Sequence, residues 1–148
     1  MWKIYALLSA IFAALTAILA KIGIKDIPSN VATAVRTVVI LFIAWGIILF
    51  SGEIKHLKDL NRTNWIFLAL SGVATGLSWI FYFKALSAGP VSKVQGIDKL
   101  SVAIAMALAF VILKEPMDAK TIAGGVLIVA GTLLLINLFL KDYNPEIN

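Results

Sequence analysis

Four polar or charged side chains that could do chemistry lie inside long apolar stretches of the chain. Gln95, Asp98 and Lys99 occupy one short segment, and Arg36 lies within another. In a helix, residues three and four apart are neighbours, so Gln95 shares one broad face with Asp98 and Lys99. Ionisable groups at membrane depth are candidates for binding a substrate or carrying a proton. The alternative is that Asp98 and Lys99 only mark the beginning of a helix, with Lys99 reaching outward and the carboxylate hydrated.

Arg36 carries a permanent charge, because its guanidinium cannot lose a proton inside a protein. It stands about two turns inside an apolar segment and therefore needs a partner or water. Two roles remain open. The side chain either holds an anionic group, or it has a structural role as an ion pair with Asp98 or Asp26 or as a side chain that reaches the interface.

An aromatic cluster follows a pair of glycines in the third apolar segment. Gly72 and Gly76 form a GxxxG pair, whose spacing lets two membrane helices approach closely, so we predict helix packing there. Trp79 continues the same stripe and could stack on a substrate at the edge of a cavity, while Tyr82 adds a hydroxyl. Ordinary packing against lipid or core is the alternative for both aromatic side chains.

Other kinds of chemistry lack the residues that they need. The chain has no cysteine and one histidine, His56, so it cannot build a cysteine-ligated metal site or a histidine cluster. It shows no nucleophile with a plausible base, no glycine-rich phosphate loop and no acidic metal cluster. The net charge of +5 is scattered along the chain and forms no basic stripe. We therefore predict no enzyme activity, cofactor, metal or nucleic-acid partner.

The elements that position these side chains are predicted to be membrane helices. Of the 148 residues, 61% are hydrophobic and 14% are charged, and a soluble domain carries about 25% charged residues. Helices cross about 30 Å of hydrocarbon in roughly 20 residues. We predict an all-α polytopic membrane protein with one five-helix transmembrane domain, 1–140, and a short polar tail, 141–148. Its spans are 2–23, 30–50, 65–86, 91–113 and 119–140.

The charges in the loops do not select an orientation by the positive-inside rule. Five spans place the termini on opposite faces, with six basic residues on the N-terminal face and five on the other. Two interpretations remain: one orientation set by the basic loop 51–64, or insertion in both orientations with pairing into an antiparallel dimer. The six are Lys3, Lys55, Lys58, Arg62, Lys114 and Lys120, and the five are Lys21, Lys25, Lys84, Lys93 and Lys141.

The order of several small motifs resembles one family. The segment 83–135 is similar to the second half of the repeat in EamA-like transporters of the drug/metabolite transporter superfamily. The similarity extends over roughly 5–138, with Lys21 after a small-residue helix and Arg36 early in the second helix. The pieces that carry it are Ala85–Leu86, Gly89–Pro90, Glu115, and Gly124 with Gly131.

The resemblance implies an assembly and a pathway. Most members carry two such five-helix repeats in inverted orientation around a central cavity, so a chain with one repeat is expected to pair with a second copy, as an antiparallel homodimer. The positions that this points toward the pathway are Arg36, Trp79, Tyr82, Gln95, Asp98 and Lys99. Lys114 stands where the family usually has Gly. The first helix has no carboxylate, unlike small multidrug resistance proteins, which leaves Asp98 as the intramembrane carboxylate.

These observations together predict a secondary transporter. We expect it to move a small polar or amphipathic metabolite by alternating access, in the cytoplasmic membrane of a prokaryote. Two alternatives stay open: a non-transporting accessory or scaffold subunit that packs through Gly72 and Gly76, and a flippase-like protein that handles lipids.

Overall fold

The computed structural model describes the backbone of residues 1–143 and the side chains of residues 1–137. The part of the predicted polar tail beyond residue 143 lies outside the described residues. The described chain is helical and contains no strand, as predicted. A 3₁₀ helix at Glu53–Asp59 joins α2 to α3, and a π turn at Ala109–Leu113 follows α5. The α-helices are α1 (Trp2–Gly23), α2 (Ser29–Ser51), α3 (Arg62–Ala88), α4 (Val91–Asp98), α5 (Leu100–Leu108) and α6 (Ala119–Tyr143).

Five helical segments are long and apolar enough to cross a membrane. They are α1, α2, α3, the combined segment Val91–Leu113 and the part Ala119–Asn137 of α6. Their large apolar side chains point outward along the whole length: Phe42 is 73% exposed and Leu127 is 72% exposed. Water would penalise such a surface, whereas lipid solvates it. The predicted fold class, an all-α membrane protein with five spans, is confirmed.

The chain divides into two compact units, Met1–Ala88 and Gly89–Asn148, of which the second is described as far as residue 143. In the first unit, helix ends follow from local sequence. Pro28, with φ of −60°, precedes α2, and Gly52 ends it at a φ of +73°, a left-handed conformation that glycine adopts without a steric penalty. Asn61 caps α3, because its Oδ1 accepts a hydrogen bond from the Asn64 N–H at 2.9 Å.

The core of the first unit is small and lies where α3 meets α1 and α2. Phe83 and Leu86 of α3 are buried, as are Ala17 of α1 and Ile24, which follows α1. The Lys21 ammonium donates a hydrogen bond to the Leu86 carbonyl oxygen at 2.6 Å. This bond ties the end of α1 to the last turn of α3, where backbone carbonyls lack partners within the helix.

In the second unit, the fourth span is interrupted. Lys99 separates α4 from α5, a break that the sequence analysis did not predict. α4 packs against α6 at Gly96, where an added Cβ would displace the end of the Leu135 side chain. Across the same contact, the Thr132 hydroxyl donates to the Gly96 carbonyl oxygen at 3.2 Å. The break therefore lies three residues after a contact between α4 and α6.

The π turn ends at a residue in an unfavourable conformation. Lys114 has a φ of +54°, the left-handed region in which side chains with a Cβ are disfavoured. The Glu115 N–H donates to the Ala109 carbonyl oxygen at 3.3 Å, which closes the turn. A glycine, the residue that the resemblance leads one to expect here, would adopt this φ freely.

Candidate functional site

The guanidinium of Arg36, in the first unit, lies over two aromatic rings. The guanidinium carbon of Arg36 lies 4.3 Å from the centre of the Trp79 ring and 5.4 Å from that of Phe83. Both distances are within the range of cation–π attraction. Trp79 and Phe83 lie four residues apart on α3, so they share a face of that helix. Tyr82 contacts the same cluster, since its ring meets that of Phe83 edge-on at 6.0 Å.

A groove about 640 Å³ in volume opens between α2 and α3. Its lining combines small residues, hydroxyl groups and a few large apolar side chains, with Trp79 among them. Pockets for small molecules in proteins commonly have volumes of about 300–1,000 Å³. The lining residues are Asn30, Thr33, Ala34, Thr37, Leu68, Ser71, Gly72, Thr75, Gly76, Trp79 and Ile80.

The threonine hydroxyls of this groove donate to their own helices. Thr33 Oγ1 donates to the Ser29 carbonyl oxygen at 2.9 Å and Thr37 Oγ1 to that of Thr33 at 2.8 Å. Thr75 Oγ1 likewise donates to the Ser71 carbonyl oxygen at 2.9 Å. With their protons engaged, these hydroxyls present acceptor oxygens to the groove. Arg36 is not itself a lining residue, but its guanidinium carbon lies 4.3 Å from the ring centre of Trp79, which lines the groove, so a strong donor lies next to the groove.

Arg36 forms no salt bridge with a carboxylate of the first unit, because no carboxylate within residues 1–88 reaches salt-bridge distance of it. The contact of that kind in this range joins His56 and Asp59 on the exposed 3₁₀ helix, where it is an ion pair only when the imidazole is protonated. The predicted pairing with Asp26 is therefore not formed in this unit. Aromatic faces compensate part of the desolvation of the cation, but they bring no counter-charge.

The second unit holds the other predicted polar residues, at the interruption of the fourth span. Gln95 and Asp98 lie on α4 and Lys99 is the residue of the break. Asp98 Oδ2 and Lys99 Nζ are 3.7 Å apart, a loose ion pair whose side chains are 36% and 50% exposed, respectively. The carboxylate is thus open enough to exchange partners, and the Gly96 carbonyl beside it is held by Thr132.

The structure gathers the predicted residues into two groups, one in each unit. Arg36, Trp79 and Tyr82 form one cluster, and Gln95, Asp98 and Lys99 lie in the other unit. Phe83 and the threonines Thr33 and Thr37 were not among the residues predicted from the sequence. The i, i+4 spacing of Thr33 and Thr37 and of Trp79 and Phe83 was the signal that could have identified them.

The glycine pair is placed differently from what helix packing inside the chain requires. A Cβ added at Gly72 or at Gly76 would have no neighbour within 4 Å. Both glycines line the open groove instead. Packing at these glycines therefore stays a prediction for contact with another chain, and within the first unit they widen the groove.

Comparison with known proteins identifies the family of this chain and a relative that is named as a transporter. Residues 1–137 match the EamA-like transporter family. The chain is 43% identical over 134 residues to a Sinorhizobium protein named as an uncharacterized transporter in the cobO 3' region. The alignment covers 90% of this chain and 95% of that protein. No solved structure matches the chain.

Proposed function

The chain belongs to the EamA-like transporter family, and from this premise we propose that it is a secondary transporter of small polar or amphipathic metabolites. Transport proceeds by alternating access between two copies of the chain in opposite orientations. A transporter of this kind needs no catalytic group, only a binding site that is exposed to one side of the membrane at a time.

The groove between α2 and α3 is the observation that carries the proposal. Its volume suits a small metabolite, and it contains hydroxyl oxygens, small residues and the Trp79 ring. Arg36 stacks on that ring and supplies a charge inside a membrane span. A purely structural helix pair has no need of a fixed charge at this depth, because that charge costs free energy.

Two features support the antiparallel pair. Six basic residues on one face and five on the other leave a very small bias, so neither orientation is strongly preferred on insertion. The Sinorhizobium relative is about as long as this chain, since 134 aligned residues make up 95% of it. Two five-helix chains in opposite orientations reproduce the symmetry that inverted repeats give to transporters within one chain.

A second candidate function is that of an accessory subunit. The observation that favours it is the GxxxG pair of Gly72 and Gly76, which has no neighbour within 4 Å of an added Cβ. Such a surface accommodates a helix of another chain. Purification of the protein with a different membrane protein at fixed stoichiometry would favour this function over transport.

The orientation of the two termini tests the assembly. Reporters fused at Met1 and, separately, at Asn148 reveal the face of the membrane on which each terminus lies. Each terminus is expected on both faces in comparable amounts. A single orientation for every copy would exclude a symmetric antiparallel homodimer and direct the search to an oppositely oriented partner.

Transport itself is tested with the full chain reconstituted in liposomes. A panel of labelled metabolites with different charges is offered outside, and uptake is compared with that of protein-free liposomes. We expect saturable uptake of at least one compound. A reconstituted dimer that moves none and gains no thermal stability from any of them would refute the proposal.

A further inference from the structure

We propose that the α2–α3 groove binds an amphipathic organic anion, with its carboxylate or phosphate on Arg36 and its apolar body along the groove. This inference rests on the proposed function and adds the chemical class of the substrate. It requires the groove and the cation to act together, and the structure brings them together at Trp79.

The first step is the missing counter-charge of Arg36. The guanidinium is half-buried inside α2, and within residues 1–88 no carboxylate lies within salt-bridge distance of it. A cation at membrane depth needs an anion or water to offset its desolvation. A substrate anion provides this charge each time it binds. Because the free-energy cost of desolvating Arg36 is already present in the empty protein, the anion binds more tightly.

The second step is the geometry of the stack. Trp79 lies against the guanidinium at 4.3 Å. The rings of Trp79 and Phe83 attract the charge of Arg36 but accept no conventional hydrogen bond, so the guanidinium keeps N–H groups that can donate two parallel hydrogen bonds to a carboxylate or phosphate. The ring also limits the rotation of the guanidinium, which lowers the entropy lost when the anion binds.

The third step is the rest of the groove. From Asn30 to Thr37 it follows α2 for about 10 Å, at 1.5 Å per residue. Leu68, Ile80 and the Trp79 ring offer apolar surface, while the threonine protons are engaged with backbone carbonyls. The groove therefore suits an elongated apolar body next to the anionic group.

Direct binding of a small probe tests this assignment. The probe is 2-naphthoate, and its matched neutral control is 2-naphthamide, which has the same rings without the charge. Calorimetric titration of the full chain in a neutral detergent should show binding of 2-naphthoate about ten- to a hundredfold tighter than that of the amide, the range for a hydrogen bond to a charged group. Equal affinities, or no binding of 2-naphthoate, would overturn the proposal.

Variants separate the role of Arg36 from a general effect of charge. Arg36→Gln should bring 2-naphthoate to the affinity of the amide, and Arg36→Lys should retain part of the preference. Lys84→Gln, which removes one charge from an exposed position of α3, should bind like the original protein. If Arg36→Gln fails to fold, the comparison of Arg36→Lys with Lys84→Gln decides, because a bidentate site loses affinity with lysine and an unspecific one does not.

Two further measurements test whether a lipid headgroup occupies the site and whether binding and transport are separate properties. Phosphatidylglycerol added to the micelles should leave the affinity for 2-naphthoate within about threefold, and competition by the lipid would assign Arg36 to a lipid headgroup instead.

Transport distinguishes this inference from the proposed function. If liposomes take up metabolites that carry no anionic group, the transporter stands and the inference fails. If nothing is transported but 2-naphthoate binds through Arg36, the proposed binding site is supported and the proposed transport function is refuted.

Discussion

The Lys21 ammonium donates a hydrogen bond to the Leu86 carbonyl oxygen at 2.6 Å and so ties the end of α1 to the end of α3. Leu86 has no exposed surface, so its carbonyl is remote from solvent. Lys21→Met keeps the apolar stem and removes the charged donor. We expect a loss of about 1.5–3 kcal/mol in the free energy of unfolding, the usual contribution of a hydrogen bond to a charged group.

Unfolding in mixed micelles with increasing dodecyl sulfate measures this loss. Lys25→Met is the matched control, because Lys25 is exposed in the loop after α1. Equal stability of the two variants would show that the Lys21 contact contributes nothing.

The stack of Arg36 on Trp79 predicts energetic coupling between the two side chains. A double-mutant cycle with Arg36→Gln and Trp79→Ala should give a coupling of about 0.5–2 kcal/mol in the free energy of unfolding, the range for a cation–π contact. The control cycle pairs Arg36→Gln with Trp45→Ala, since Trp45 is 45% exposed elsewhere on α2. That cycle should be additive, and a coupling as large as in the first would contradict the specific stack.

The five spans could be predicted from the sequence because length and apolar composition alone determine which segments can cross a membrane. The break at Lys99 could not, since the segment 91–113 contains no proline and no local pattern that marks an interruption there. Trp79 and Arg36 were both predicted as candidates. They are 43 positions apart in sequence and lie on different helices, so no local pattern reveals their contact. The groove is likewise formed by two helices, so the pattern within a single helix did not identify its threonines as lining residues.

The left-handed conformation of Lys114 leads us to expect that glycine at this position stabilises the protein. At a φ of +54° its Cβ costs about 1–2 kcal/mol, which glycine avoids. Part of that gain is offset because glycine leaves the unfolded chain more freedom, so Lys114→Gly should raise the free energy of unfolding by about 0.5–1 kcal/mol. Thermal unfolding in detergent measures the change, and Lys120→Gly, in the first turn of α6, should lower stability in the same measurement. A destabilising Lys114→Gly would show that the side chain makes a contact worth more than the strain.

Asp118 predicts a dependence of stability on pH. The pKa of this carboxyl, just outside the fifth span, is lowered because the Thr121 hydroxyl and the Thr121 backbone N–H donate to its ionised form. A pKa that is lower in the folded state stabilises the protein above the unfolded pKa of about 3.9 and loses that contribution as pH falls through the folded value.

Thermal unfolding from pH 7 down to about pH 3 should therefore show the difference between the original protein and Asp118→Ala become smaller in acid. Asp118→Asn still caps α6 but does not titrate, so its own difference from Asp118→Ala should stay constant over this range. A gap between the original protein and Asp118→Ala that does not change with pH would exclude this linkage.

Asp98 tests whether the polar residues of α4 serve transport or only the helix. Its carboxylate is 3.7 Å from Lys99 Nζ, and both side chains are partly exposed, so the pair should contribute at most about 1 kcal/mol to stability. If Asp98 binds substrate or carries a proton, Asp98→Asn should lower liposome uptake about tenfold or more while the free energy of unfolding changes by less than about 1 kcal/mol. Asp26→Asn, in the loop after α1, removes the same charge and should transport normally. Loss of folded protein with Asp98→Asn would assign the carboxylate a structural role, because a group that acts only on substrate leaves the empty protein stable.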